Sequence, residues 1–326
     1  MNFKATSLII ISVFIYKMNA QNIENVHQKI DTSYFVKIGG IDQYISLKGN
    51  KDKPIVLYLH GGPGAAASAH SEKITASLEL DFLVIHWDQR GAGKTLKQNG
   101  LKQRPTLALM HSDAEELLTY ILNKFHRQQI ILVANSWGTL LAIHLAESKP
   151  NKISTLVAIS PIVSLFSSQK SLNKILIRHF RKSKNQKAVK QLKTINIPYH
   201  NAKDMAIQFK WLSEYQGESI NDTLYRQYSQ FFEQWYTNWG LLYSQLYKVN
   251  RLKISSSIQC RTIVFYGDKD YTAYYKLSKK FFKGIKPKEK EIYRFKDVGH
   301  QIPMEASNRM QELLLKVLLN GNKIKY

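Results

Sequence analysis

The sequence predicts an α/β fold: a mostly parallel, doubly wound sheet with an inserted block of helices. Three observations carry that expectation. Short runs of β-branched, aromatic and aliphatic residues alternate with stretches of helical spacing, which implies parallel strands covered on both faces. The alternation stops between about Pro161 and Gln259 and then resumes. The length of 326 residues, with 44% hydrophobic side chains, suits one large domain carrying an insertion, or two units.

The N-terminus reads as a targeting segment. Lys4 precedes the uncharged run Ala5 to Tyr16, and Lys17-Met18-Asn19-Ala20-Gln21 follows. A positive start, a short apolar run and a small residue before a polar one describe a signal peptide over residues 1–20, cut after Ala20. The mature chain is then expected to be secreted or periplasmic. Lys17 and the bulky Met18 depart from the pattern, and the alternatives are an uncleaved signal that anchors the chain in the membrane or a buried N-terminal helix.

The core is expected over 21–160 and 260–326. Ile41 to Leu47 alternates like an exposed strand. Ile55 to Leu59 and Phe82 to Trp87 are continuous apolar runs, as buried parallel strands are. Leu107 to Phe125 has helical spacing, with Ser112 and Asp113 near its start and Glu115 and Glu116 in an early turn. The strand Ile130 to Val133, a helix from Gly138 to Ser148 closed by Pro150, and the strand Ile153 to Ile159 come next. After the insertion come the strand Thr262 to Tyr266, the helix Thr272 to Phe282, the strand Glu291 to Phe295 and the helix Met304 to Leu319.

The inserted segment, 161–259, is expected to be a helical cap. Its first part, Lys170 to Lys193, carries nine Lys or Arg and no acid, with Leu172, Ile175, Leu176, Phe180, Val189 and Leu192 at amphipathic spacing. Two readings stand: lid helices with one solvated face, which is preferred, or helices making a weak contact with an anionic membrane surface. The second part holds Phe209, Trp211, Tyr215, Tyr225, Tyr228, Phe231, Phe232, Trp235, Tyr236, Trp239, Tyr243 and Tyr247. Most of these are expected to pack the cap's own core, and a minority to line a pocket.

Composition excludes several classes. Lys and Arg total 47 against 24 Asp and Glu, a formal charge of +23. No zinc-finger, RNA-recognition or basic-zipper pattern accompanies that charge, so a merely basic surface is expected and no nucleic-acid partner. Cys260 is the single cysteine, which rules out an intramolecular disulfide framework and a cysteine-rich zinc site. No stretch reaches the roughly 18 uncharged apolar residues of an ordinary bilayer span, so a polytopic membrane protein is excluded.

The sharpest chemical signal is Ala134-Asn135-Ser136-Trp137-Gly138, set between a buried strand and a helix. A nucleophilic serine on a strained strand-to-helix turn needs small residues two before and two after it, and Ala134 and Gly138 meet that need. A serine nucleophile also needs a base, and the base needs a carboxylate to fix its tautomer. In the α/β-hydrolase arrangement these follow in the order Ser, Asp, His, each after a strand. Gly267-Asp268-Lys269-Asp270 follows one late strand, and Lys296-Asp297-Val298-Gly299-His300 follows the other. His300 is therefore the expected base, while His60, His86 and His144 read as framework. Asp268 and Asp270 both qualify as the acid; the Gly-x-x-Asp spacing favours Asp270 and leaves Asp268 to shape the turn. His60-Gly61-Gly62-Pro63-Gly64, directly after another strand, lets the backbone approach a substrate. The N–H groups of Gly62 and Trp137 are the expected oxyanion donors.

Taken together, His60 to Gly64, Trp87-Asp88-Gln89-Arg90-Gly91-Ala92-Gly93 and Asn135 to Thr139 resemble the proline iminopeptidase family of α/β-hydrolases. The resemblance covers nearly all of the mature chain and is weakest in the cap. It implies an α/β-hydrolase fold and a serine exopeptidase that releases N-terminal residues, often proline, from short peptides without metal or cofactor. In that picture the segment 87–93 is structural, its Asp88 and Arg90 bracing the loops around the site. The family's cap carries a Trp-Glu-Gly type segment whose glutamate helps hold the substrate's free amino group. The nearest match here is Ser213-Glu214-Tyr215-Gln216-Gly217, which places Gln216 where the acid is expected. A neutral amide cannot pair with an ammonium as a carboxylate does, and Glu214, Glu218 and Glu233 are the candidates to replace it. An ester hydrolase or lactonase with the same three residues is the alternative activity. A basic surface-binding protein on a degenerate scaffold is the alternative class.

Overall fold

A computed structural model describes residues 29–253 and 257–322. The expected signal peptide, 1–20, lies outside the described residues. The first strands are β1 (Lys29–Ile38), β2 (Ile41–Asn50), β3 (Ile55–Leu59) and β4 (Leu83–Asp88). They are followed by β5 (Ile130–Asn135), β6 (Ile153–Ile159), β7 (Arg261–Gly267) and β8 (Lys290–Phe295). All eight form one sheet in the order β1-β2-β4-β3-β5-β6-β7-β8. β2 runs antiparallel to both β1 and β4, and every other pairing is parallel.

Side-chain alternation along the strands divides the core into two layers. On β3, Ile55, Leu57 and Leu59 face one layer while Val56 and Tyr58 face the other. The first layer packs against α3 (Leu107–Lys124) and α4 (Gly138–Ser148), which follow the short helices α1 (Ser71–Thr75) and α2 (Gly93–Asn99). The second is closed by Ile74, Leu78 and, from the last helix, Met310, Leu314, Val317 and Leu318. Burying each such aliphatic side chain contributes about 1.5–3 kcal/mol, so both faces of the sheet stabilise the fold.

Several boundaries differ from expectation for identifiable reasons. β1 carries Ile30, Tyr34, Val36 and Ile38 on its inward side but is otherwise polar, as an edge strand is. Pairing with β1 and β4 buries β2, including Gln43, whose amide bonds Ile38, Asp113 and Trp87; the strand is not exposed. The cap of α3 is Thr106, whose side chain accepts from Leu109 N–H at 3.2 Å, while Asp113 sits buried in mid-helix. Asp270 accepts from Ala273 N–H on its side chain and from Tyr275 N–H on its carbonyl, a turn that delays the next helix, α9, to Tyr275–Gly284. The last helical stretch breaks at Ala306 into α10 (Ile302–Glu305) and α11 (Ser307–Asn322).

Between β6 and β7 the described chain forms α5 (Leu165–Lys182), α6 (Gln186–Lys193), α7 (Ala202–Tyr215) and α8 (Asp222–Leu246). Leu172, Leu176, Phe180, Leu192, Ile207 and Trp211 make a separate small core among α5, α6 and α7. The apolar stripe of the basic helices is thus turned inward, and their lysines face out. The aromatic residues of the insertion divide: Trp211 and Tyr215 join that small core, and Phe209 packs on Tyr228 and Phe232 within the insertion. Trp235, Trp239, Tyr243 and Tyr247 instead pack onto the main core beside the sheet.

Candidate active site

The C-terminal ends of β3, β5, β7 and β8 deliver the four expected segments to one rim of the sheet, where open α/β sheets bind ligands. β5 is buried throughout, and its chain turns sharply at Ser136, which has φ +50° and donates its N–H to Ile159 O at 2.9 Å. A left-handed serine is strained and persists only where its surroundings enforce it. The helix α4 starts two residues on because Gly138 has no side chain: a Cβ there would lie 2.2 Å from the Leu59 carbonyl oxygen.

The three expected side chains meet. His300 Nε2 lies 2.8 Å from Ser136 Oγ, and His300 Nδ1 lies 2.9 Å from Asp270 Oδ2. Asp270 is 1% exposed, and its Oδ1 accepts from Ala273 N–H at 2.8 Å, so both carboxylate oxygens are engaged. Asp268 points elsewhere. It accepts from Arg294 at 2.5 and 2.9 Å and from Asp297 N–H at 2.7 Å, tying the loop after β7 to the loop after β8. Burial by itself would lower the His300 pKa; the Asp270 charge and hydrogen bond, with Glu305 adding, more than offset it and raise it above the ordinary histidine value.

Glu305 was not legible as a site residue. From α10 its carboxylate accepts from Gly299 N–H at 2.6 Å and from Gln301 N–H at 3.0 Å, clamping the backbone on either side of His300. A carboxylate a turn past the base, at the start of a helix, is the signal that could have found it.

The glycine loop lies against the serine. A Cβ on Gly61 would stand 3.2 Å from Ser136 Cβ, and Gly62, at φ +113°, has no room for one beside Gly64 N at 2.6 Å. α8 crosses this loop: Trp235 Nε1 donates to Pro63 O at 2.9 Å, and the Trp239 ring packs on Gly64 and Gly91. The far end of α7 reaches the loop after β7, where the Tyr215 and Tyr271 hydroxyls stand 3.4 Å apart. Helices from the insertion therefore wall the rim on two sides.

His60, His86 and His144 have framework partners, as expected. His60 is buried and pushed down to about 4, chiefly by loss of water. His86 bonds Thr75, and His144 bonds Glu115. Asp88 accepts from Ser68 and from Lys94 N–H, bracing segments beside the site. Arg90 braces a different part of the fold. It forks onto buried Asp113 at 2.7 and 2.9 Å and reaches Gly39 O, which holds the β1–β2 turn against α3.

Glu214, Gln216, Glu218 and Glu233 of the cap are the residues expected to hold an amino group. Gln216, Glu218 and Glu233 are exposed, and Glu214 lies 3.9 Å from Lys210 Nζ. Among the described residues no hydrogen bond or ion pair joins any of the four to Ser136, Asp270 or His300.

A family model described as serine aminopeptidase, S33, matches residues 50–307. The chain belongs to this family. The probable aminopeptidase YbaC of Bacillus subtilis is 23% identical over 290 residues, 81% of this chain and 89% of that protein. A putative proline iminopeptidase of Mycoplasma pneumoniae is 34% identical over 123 residues, 37% of each chain. Among solved structures, proline iminopeptidase from Mycobacterium smegmatis superposes with a TM-score of 0.63 at 15% identity, covering 89% of this chain and 98% of that one. The S33 chain thus has the α/β-hydrolase fold, with its eight-stranded sheet and a helical insertion after β6.

Proposed function

We propose that this S33 hydrolase uses Ser136, His300 and Asp270 to release N-terminal residues, proline foremost, from short peptides. The observation that carries the reading is the continuous relay of 2.8 and 2.9 Å from Ser136 Oγ through His300 to Asp270 on one rim of the sheet. Membership of a serine aminopeptidase family, and relatives named as aminopeptidase and proline iminopeptidase, support the substrate class.

In this reading Ser136 Oγ attacks the carbonyl carbon of the first residue as His300 Nε2 takes the hydroxyl proton. The carbonyl oxygen becomes an oxyanion facing the N–H groups of Trp137 and Gly62. Asp270 holds the proton on Nδ1 and stabilises the imidazolium. Collapse expels the peptide amine, which takes the proton from His300, and leaves an acyl-enzyme. Water, deprotonated by the same imidazole, attacks the ester; the acyl C–Oγ bond breaks, the free amino acid leaves, and His300 returns the proton to Ser136 Oγ.

Hydrolysis of the ester or lactone class is the second reading, and one observation favours it. None of the four cap positions offered for the ammonium is both buried and unpaired. A panel of aminoacyl-naphthylamides and short p-nitrophenyl esters, run with the wild type and Ser136→Ala, tests both. Amide turnover led by the prolyl substrate and lost in the variant is the expected result. Ester turnover without amide cleavage transfers the reading to an esterase, and undiminished activity in Ser136→Ala removes the mechanism.

A further inference from the structure

Gln89 sits in the segment 87–93, for which the proposed chemistry gives no role beyond bracing. Its contacts are specific. The Gln89 backbone N–H donates to His60 Nε2 at 3.1 Å, and its side-chain Nε2 donates to the His60 carbonyl at 3.1 Å. The other end of the same amide, Oε1, accepts from the Trp137 indole Nε1 at 2.8 Å. Because His60 Nε2 is an acceptor here, the ring proton resides on Nδ1, which donates to Gly61 O at 2.8 Å. Gln89, His60 and Trp137 are each at most 2% exposed, so no water competes for these bonds.

One planar amide therefore joins the two segments that carry the proposed oxyanion donors. On one side is His60-Gly61-Gly62, and on the other is Ser136-Trp137. We propose that Gln89 is a positioning residue that sets the separation of the Gly62 and Trp137 N–H groups, and so matches the site to the tetrahedral oxyanion. The inference rests on the serine-hydrolase reading above. Such donors stabilise the transition state only when they stand about 2.7–3.1 Å from where the oxyanion will be, so the spacing between their two segments is a catalytic variable. Gly61 shows how little slack exists, since its missing Cβ would already crowd Ser136. The bridge also dictates the residue type. At this length only glutamine presents a donor and an acceptor from one group; glutamate lacks the donor and leucine lacks both.

The test compares the wild type with Gln89→Leu, Gln89→Glu and Trp137→Phe. Each is measured for kcat and KM on the best naphthylamide, and for inhibition by the aldehyde analogue of that substrate, to which Ser136 adds to give a tetrahedral adduct. Gln89→Leu is expected to lower kcat by about 10- to 100-fold, below the loss of a whole donor, with KM within about threefold. Aldehyde affinity should fall by a similar factor, while the acid limb of the pH profile, which reports His300, stays in place. Gln89→Glu keeps the acceptor for Trp137 and should fall between the two. Trp137→Phe removes the indole N–H together with part of the buried ring and leaves Gln89 on His60, so it serves if the Gln89 variants do not fold; a kcat loss of about 3- to 10-fold with the same signature, in a variant whose thermal midpoint shows it folded, is expected. Full kcat and undiminished aldehyde affinity in Trp137→Phe, or a raised KM with kcat intact in either Gln89 variant, overturns the proposal. Activity surviving in Ser136→Ala would instead overturn the hydrolase reading, so the two failures are distinguishable.

Discussion

Replacing Asp270 by asparagine is the most discriminating perturbation of the relay, because the structure dictates how the new amide must sit. Asp270 Oδ1 accepts from Ala273 N–H at 2.8 Å, and that donor is part of the backbone. In Asp270→Asn the amide oxygen is the group that can accept there, which turns the NH2 towards His300 Nδ1. Nδ1 must then accept, its proton moves to Nε2, and Nε2 can no longer take the proton of Ser136. The imidazolium also loses the charge that stabilises it in a buried setting. For a Ser-His-Asp site these effects together are worth about 10³- to 10⁴-fold in kcat, or about 4–5.5 kcal/mol in the barrier. Asp268→Asn is the matched control: its partners are Arg294 and Asp297, away from the imidazole, and a loss below about tenfold is expected. Steady-state turnover of the prolyl naphthylamide, with the rate of labelling by a fluorophosphonate, measures both. More than a tenth of wild-type kcat in Asp270→Asn, or an equal loss in Asp268→Asn, would falsify the assignment.

Three further outcomes follow from named contacts. The base must be neutral to act, so kcat/KM should fall as pH drops through a midpoint above the ordinary histidine value of 6.5; Glu305→Gln removes one raising charge and should move that limb to lower pH. In stability the sign is opposite: the stabilisation linked to protonated His300 is complete below its unfolded pKa and is lost as pH rises through the raised folded value, readable as a change in urea midpoint. Arg90→Met strands Asp113, which is fully buried, and should cost about 3–5 kcal/mol in urea unfolding while leaving kcat of the folded enzyme within about threefold; a stability loss under about 1 kcal/mol contradicts the buried pair. Gly138→Ala forces a methyl to within 2.2 Å of backbone oxygen and should destabilise by about 3 kcal/mol or more, so an unchanged thermal midpoint would show that α4 can shift freely.

The parts of this protein that are legible in its sequence are those whose signal is local. Ser136 and Gly138 announce themselves because a strained turn tolerates few residues beside it. Largely apolar runs mark β3, β4 and β5 because both of their faces are covered. His300 and Asp270 follow strand ends at short, fixed offsets. β1 gives no comparable signal because an edge strand owes half its surface to water. Trp235, Trp239, Tyr243 and Tyr247 join the main core and not the insertion's own, because spacing reveals that a face is buried and not which neighbour buries it.

Glu305 and Gln89 lie beyond that horizon for a further reason. Each acts by joining segments far apart in sequence or by bonding main-chain groups, and a main-chain partner leaves no trace in residue type. Gln89 is 48 residues from Trp137 and 29 from His60, yet a single amide spans both. The reacting side chains can be read from motifs, whereas the distances that make them react are set by buried polar groups whose partners only the fold supplies. Specificity belongs to the second kind. Gln216 stands out by its place in a motif, yet it is exposed and Glu214 faces Lys210, so the motif alone does not say which side chain would meet a substrate's amino group. What the fold adds is the placement of α7 and α8, since Trp235 on Pro63 and Tyr215 on Tyr271 bring the insertion against the reacting loops.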